Sequence, residues 1–124
     1  MKSKILSLLL LLAIVAGSCT KEGTGGNSSI HGVIMRNGVY VIPNTVVYIK
    51  YGTTEFPGDD PQYYDDSFAT DSDGVFEFKG LKKGDYFLFA NGFDITGGFA
   101  VTGQMVVNLG RKQNKELDPF IVNN

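Results

Sequence analysis

Two arrangements of apolar residues divide this chain. Ile5 to Ala16 is an uncharged, almost wholly apolar run, whereas from Ile30 onward Val, Ile, Phe and Tyr are cut at short intervals by Gly, Asn and Asp. The second arrangement mixes strand formers with turn formers, and no ten-residue window in it carries a helical period. The pattern predicts strands at Ile30–Arg36 and Val39–Ile42, joined by a tight turn at Asn37-Gly38, two residues that tolerate positive φ. Pro43-Asn44 breaks the run. A strand over Thr45–Tyr51 follows, with Val47 and Ile49 on one side. Gly52–Asp66 reads as a polar loop, Ser67–Thr70 as a short strand and Asp71–Gly74 as a turn. In Val75–Lys79 the alternation about Glu77 aims Phe76 and Phe78 at the core. Gly80–Gly84 is a turn containing Leu81, and Asp85–Ala90 is a strand that is apolar on both faces. Asn91–Gly98 reads as a second irregular loop, Phe99–Leu109 as a strand, Gly110–Asn114 as a turn and Lys115–Val122 as the last strand. Seven or eight short strands at even spacing imply an all-β fold of two sheets closing over one core.

Particular residues sharpen that expectation. Ile30-x-Gly32-x-Ile34, Asn37-Gly38, Pro43 and Val46-Val47-x-Ile49 are followed by Thr70-Asp71-x-Asp73-Gly74-x-Phe76-x-Phe78-x-x-Leu81-x-x-Gly84-x-Tyr86-x-Leu88. This series resembles the carboxypeptidase regulatory-like, or prealbumin-like (transthyretin-like), β-sandwich domain from about Ile30 to Val122. The Asp-Gly hairpin followed by Leu-x-x-Gly-x-Tyr is its most specific part. The resemblance implies a seven- to eight-stranded Greek-key β-sandwich, with Leu81 plugging one end and Tyr86 re-entering the core. It implies little about activity, because such domains mostly serve as structural or binding modules.

The first nineteen residues speak to location. Lys2 and Lys4 precede the apolar run, and Ala16-Gly17-Ser18 places small residues before Cys19, the single cysteine. A helix over Ile5–Ala16 would cover about 18 Å of a ~30 Å hydrocarbon core, so the segment reads as an export signal rather than a span. It resembles the lipobox of bacterial lipoproteins, in the looser form of some Gram-negative groups, with Ala16 where a large aliphatic residue is preferred. The alternative is ordinary cleavage that leaves Cys19 a free thiol. The expected organisation is a signal peptide over 1–18, a lipidated flexible tether over 19–29 and the sandwich over 30–124. The tether, Thr20 to Ser29, would span roughly 18 Å. Lys21-Glu22 is similar to the short charged signals that send some lipoproteins to the cell surface. The expected location is therefore the outer membrane, on its surface or periplasmic face, with the N-terminal lipid as the membrane contact.

Without residues 1–18 the chain carries nine cations against thirteen carboxylates. Lys82-Lys83 and Arg111-Lys112 read as isolated turn pairs and no basic patch is expected, so nucleic acid is not an expected partner.

Candidate chemistry is sparse. Asp71 and Asp73 ahead of Gly74 are a weak calcium candidate, but a calcium loop needs a further ligand before its glycine and a bidentate glutamate after it. The bland reading is a turn held by Asp side chains. Gly58–Asp66 packs Asp59, Asp60, Asp65, Asp66, Tyr63 and Tyr64 into nine residues. With Tyr51, Phe56 and Phe93 it is the expected recognition surface for a glycan or peptide, the alternative being a solvated acidic loop. His31 is the only histidine, and no zinc site can be built from it alone. The enzymatic prealbumin-like branch, hydroxyisourate hydrolase, uses several histidines and a Tyr-Arg-Gly-Ser ending, where this chain ends Phe120-Ile121-Val122-Asn123-Asn124. Lys50, Glu77 and Asn108 could form an isopeptide crosslink, but the related domains place that lysine in the first strand and Ile30–Met35 has none. The reading is a non-enzymatic, lipid-anchored envelope protein, without cofactor, whose module binds a protein or glycan. The alternative is a structural accessory or spacer in an envelope assembly.

Overall fold

The computed structural model describes residues 21–124; the signal segment, Cys19 and Thr20 lie outside the described residues. Among the described residues there are nine strands: β1 (Thr24–Arg36), β2 (Tyr40–Val41), β3 (Val46–Tyr51), β4 (Asp66–Ala69), β5 (Val75–Leu81), β6 (Gly84–Asp94), β7 (Phe99–Leu109), β8 (Asn114–Glu116) and β9 (Phe120–Val122). They form two packed sheets. In the first, β1 lies at the centre, antiparallel to β2 and β5 and parallel to β8 and β9. The second runs β4-β3-β6-β7, antiparallel throughout. Among the described residues no helix is long and apolar enough to cross a membrane.

The core forms where alternation aims apolar side chains inward. Ile30, Ile34, Phe76, Phe78 and Phe120 come from the first sheet and Val47, Ile49, Tyr86, Leu88, Val101 and Val107 from the second, all buried. Phe76 meets Phe120 edge-on at 6.0 Å and Phe78 at 6.2 Å. Gly32 leaves room for the Phe76 ring, since a Cβ there would lie 3.0 Å from it. Asn37 and Gly38 turn the chain with φ of 49° and 72°, as expected of that pair.

The expected Gly80–Gly84 turn shrinks to Lys82-Lys83, because β5 runs on to Leu81 and β6 begins at Gly84; three further boundaries differ from expectation. First, the chain enters the sheet at Thr24, inside the 19–29 stretch read as tether. Gly26 passes so close to β5 that a Cβ would lie 2.1 Å from the Leu81 carbonyl oxygen, and Thr24 and Ser28 both register with Leu81 across a bulge. These glycines permit close approach rather than slack. Second, β6 continues through Asn91–Asp94, because its ladder with β7 runs on to Asp94↔Phe99. Gly92 belongs inside it, where a Cβ would lie 2.4 Å from Thr45 Oγ1. Third, the last strand divides into β8 and β9 around Asp118-Pro119, where proline has no N–H to donate.

Candidate binding surfaces

On the outer face of the second sheet, β3 contributes Tyr48 and β6 contributes Phe87 and Phe89. Both phenylalanines are buried although they point away from the inter-sheet core. The cover is the Gly52–Asp65 loop. Phe56 lies 5.9 Å from Phe87 and 5.5 Å from Phe89, while Tyr64 stacks on Phe89 at 6.0 Å and meets Tyr48 at 5.6 Å. The Tyr64 hydroxyl donates to the Gly58 carbonyl at 2.8 Å. Burial, then the Asp59 carboxylate, pushes that phenol up to about 12. Phe56 and Tyr64 therefore roof a second small core, Tyr64 half-buried and Phe56 still 44% exposed.

The other members of the expected recognition surface disperse. Tyr51 points inward at the end of β3, edge-on to Tyr86 at 5.7 Å, and burial raises its phenol first, then Asp66 and Asp65. Phe93 lies on the outer face of β6 four residues past Phe89, about 13 Å along the strand, beyond the last β3 partner at Asn91. Asp65 accepts from the Tyr51 amide at 2.8 Å and pairs with Lys50 at 3.5 Å. Asp60 caps the 3₁₀ turn Pro61–Tyr63 through the Gln62 amide, and Asp66 accepts from the Ser67 amide. Asp59 and Tyr63 remain exposed. The hollow beside Tyr48, Tyr64 and Asp66 measures about 220 Å³, below the ~300 Å³ of ordinary ligand pockets.

Asp71 Oδ1 accepts from the amides of Asp73 and Val75 at 2.9 and 3.2 Å, which makes it a turn residue. Among the described residues no three His, Cys, Asp or Glu side chains converge to hold a metal ion. His31 sits on β1 in register with Glu77 on one side and Glu116 on the other. Lys50 is taken by Asp65, Asn108 donates to Asp85 and Glu77 pairs with Lys79, so the three crosslink candidates are not brought together.

Three features were not foreseen from the sequence. The outer face of the first sheet is bare over its distal half. Cross-strand register places Val75 beside Val33, and Val41 and Ile121 on either side of Met35. Val75, Val41 and Ile121 are 38%, 38% and 40% exposed, and Val39 at the adjoining turn is 75% exposed.

At the same distal end, Arg36 and Asp94 form a buried ion pair at 3.5 Å. Tyr40 donates a hydrogen bond to Asp94, and Arg36 Nη2 donates to Asn124 at 2.9 Å. The Arg36 guanidinium stacks over Phe99 at 4.6 Å. The Tyr40 bond holds Asp94 below the usual carboxylate range and raises the Tyr40 phenol.

The third feature corrects the expectation of no basic patch. Lys82-Lys83 and Arg111-Lys112 meet Lys21 around one groove of about 730 Å³ at the opposite end, where the chain enters the fold.

No protein-family model, curated protein or solved structure matches this chain.

Proposed function

We propose that this is a lipid-anchored cell-envelope protein, built on a prealbumin-like sandwich, that holds a partner protein on the bare aliphatic face of its first sheet. The observation that carries the reading is the contrast between the two outer faces. One is roofed in part by its own loop, with Phe56, Phe93 and Val106 still exposed around the roof; the other has no covering loop and sets exposed Val41, Val75 and Ile121 beside half-buried Val33 and Met35. Contiguous exposed aliphatic area with a polar rim is the anatomy of a protein interface. The rim here is Asn37-Gly38 and Asp71–Asp73. The patch has no aromatic ring on which a sugar could stack, so a protein suits it better than a glycan. A binding role is the reading we keep because the chain has a single histidine, which sits on β1 between two glutamates in register. The anchor is Cys19, with the lipobox-like residues before it as support.

A photocrosslinking residue placed at Val75 or at Tyr63 in the full chain, expressed in an exporting cell, tests the docking face. Adducts from position 75 and none from position 63 are expected. The reverse pattern returns the site to the acidic loop, and no adduct from either favours the spacer. Labelled palmitate entering the wild type but not Cys19→Ala is expected for the anchor; a soluble, unlabelled wild type refutes it.

A further inference from the structure

The charge of this protein is segregated along its long axis. Residues 21–124 carry nine cations and thirteen carboxylates. Four of the cations are occupied: Arg36 by Asp94, Lys50 by Asp65, Lys79 by Glu77, and Lys115 by the Asn108 carbonyl. The other five, Lys21, Lys82, Lys83, Arg111 and Lys112, have no ion-pair partner among the described residues, and all five line the groove at the entry end. Glu22 is the only carboxylate lining it, so this end is +4 and the rest of residues 21–124 is −8.

The groove is also the part of the fold nearest Cys19. Gly23 is fixed in place: its amide donates to the Tyr86 hydroxyl at 3.1 Å and its carbonyl accepts from the Lys82 amide at 2.8 Å. Four residues of chain, Cys19 to Gly23, reach at most about 14 Å, against the ~18 Å mean span of a ten-residue tether. Beyond the bulge, Ser28 to Arg36 carries β1 about 26 Å away from this end at strand rise.

We infer that the Lys21/Lys82/Lys83/Arg111/Lys112 end is a membrane-docking surface that rests on anionic lipid headgroups and stands the sandwich upright. Its direction rests on the anchor reading above; its affinity for an anionic bilayer does not. The chemistry is that of phosphate oxygens meeting unpaired ammonium and guanidinium groups, a contact that decays within a Debye length of about 8 Å. Each cation brought to such a surface contributes about fivefold in partitioning. The −8 remainder is repelled by the same surface, which opposes lying flat.

The test uses residues 20–124 without lipid, which hold the nine strands and the core of the described residues, so it does not depend on acylation. Sedimentation is measured with phosphatidylcholine vesicles and with vesicles containing 30 mol% phosphatidylglycerol, at low and at 500 mM salt. Binding only to the anionic vesicles, lost at high salt, is expected. Lys82→Gln/Lys83→Gln/Lys112→Gln should lower that partitioning about a hundredfold, with the thermal midpoint unchanged. Lys50→Gln/Lys79→Gln removes two cations elsewhere and should change it less than twofold. Equal binding to neutral vesicles, or equal losses in both variants, overturns the inference. So does a response of the Lys82 and Lys83 amides to inorganic phosphate without vesicle binding, which would make the groove a free-anion pocket. Vesicle binding that persists while Cys19 proves unacylated refutes the anchor and leaves the surface standing.

Discussion

Replacing Tyr64 and Tyr63 one at a time separates a roof from a recognition loop. The Tyr64 ring is half-buried between Tyr48 and Phe89, and its hydroxyl is spent on Gly58. An aromatic side chain buries ~150–250 Å² when fully enclosed, so half of that at ~25 cal/mol per Å² gives roughly 2–3 kcal/mol. The ring pairing and the hydroxyl bond add about 1 kcal/mol each. The compactness of the denatured chain and the β-carbon that alanine keeps remove a comparable amount. Tyr64→Ala should therefore cost about 2–3 kcal/mol. Tyr63, 53% exposed, should change stability by no more than about 0.5 kcal/mol when cut to alanine. Urea melts followed by far-UV circular dichroism give both values, and equal midpoints for the two variants would refute the roof. Alkaline titration checks the same packing from another side. Because folding raises the Tyr64 phenol from 10.0 to about 12, its contribution is fully present below pH 10 and is lost as pH rises through about 12. Tyr64→Phe should flatten that part of the stability profile relative to wild type, and an unchanged slope would show the phenol to be solvated.

Phe76→Ala should cost about 3–5 kcal/mol in the same melts, the range for a fully buried ring, and a loss near 1 kcal/mol would mean that the Phe76–Phe120 contact is not at the core. Gly26→Ala places a methyl group against the Leu81 carbonyl and should cost about 1–3 kcal/mol as overpacking, whereas a slack tether would accept it at no cost.

Much of the fold is legible in the sequence wherever one residue decides the backbone. Asn37-Gly38, Val47 and Ile49, and Phe76 and Phe78 all do what their pattern implies. The failures share a cause. Gly23 to Ser29 has the composition of a linker, and composition does not reveal that a neighbouring backbone will lie against Gly26. Asn91–Asp94 lacks alternation and is held in β6 by its partner β7. The roof does leave a trace, since Asp85–Ala90 is apolar on both faces and an outer Phe87 and Phe89 must be covered by something. A loop bearing Phe56 and Tyr64 is that cover. The basic groove joins pairs nearly thirty positions apart with Lys21, and the bare aliphatic face depends on register across β1. Neither is visible until the strands are paired.

β1 is bonded along both edges by strands from both ends of the chain: Ser29 reaches Asn114 across 85 positions and Arg36 reaches Asn124 across 88. Among the described residues β1 thus lacks its β8 and β9 neighbours until Asn114–Val122 have been made. Contacts of such long sequence separation slow folding. The topology ties completion of the first sheet to segments some 85 positions downstream of its central strand.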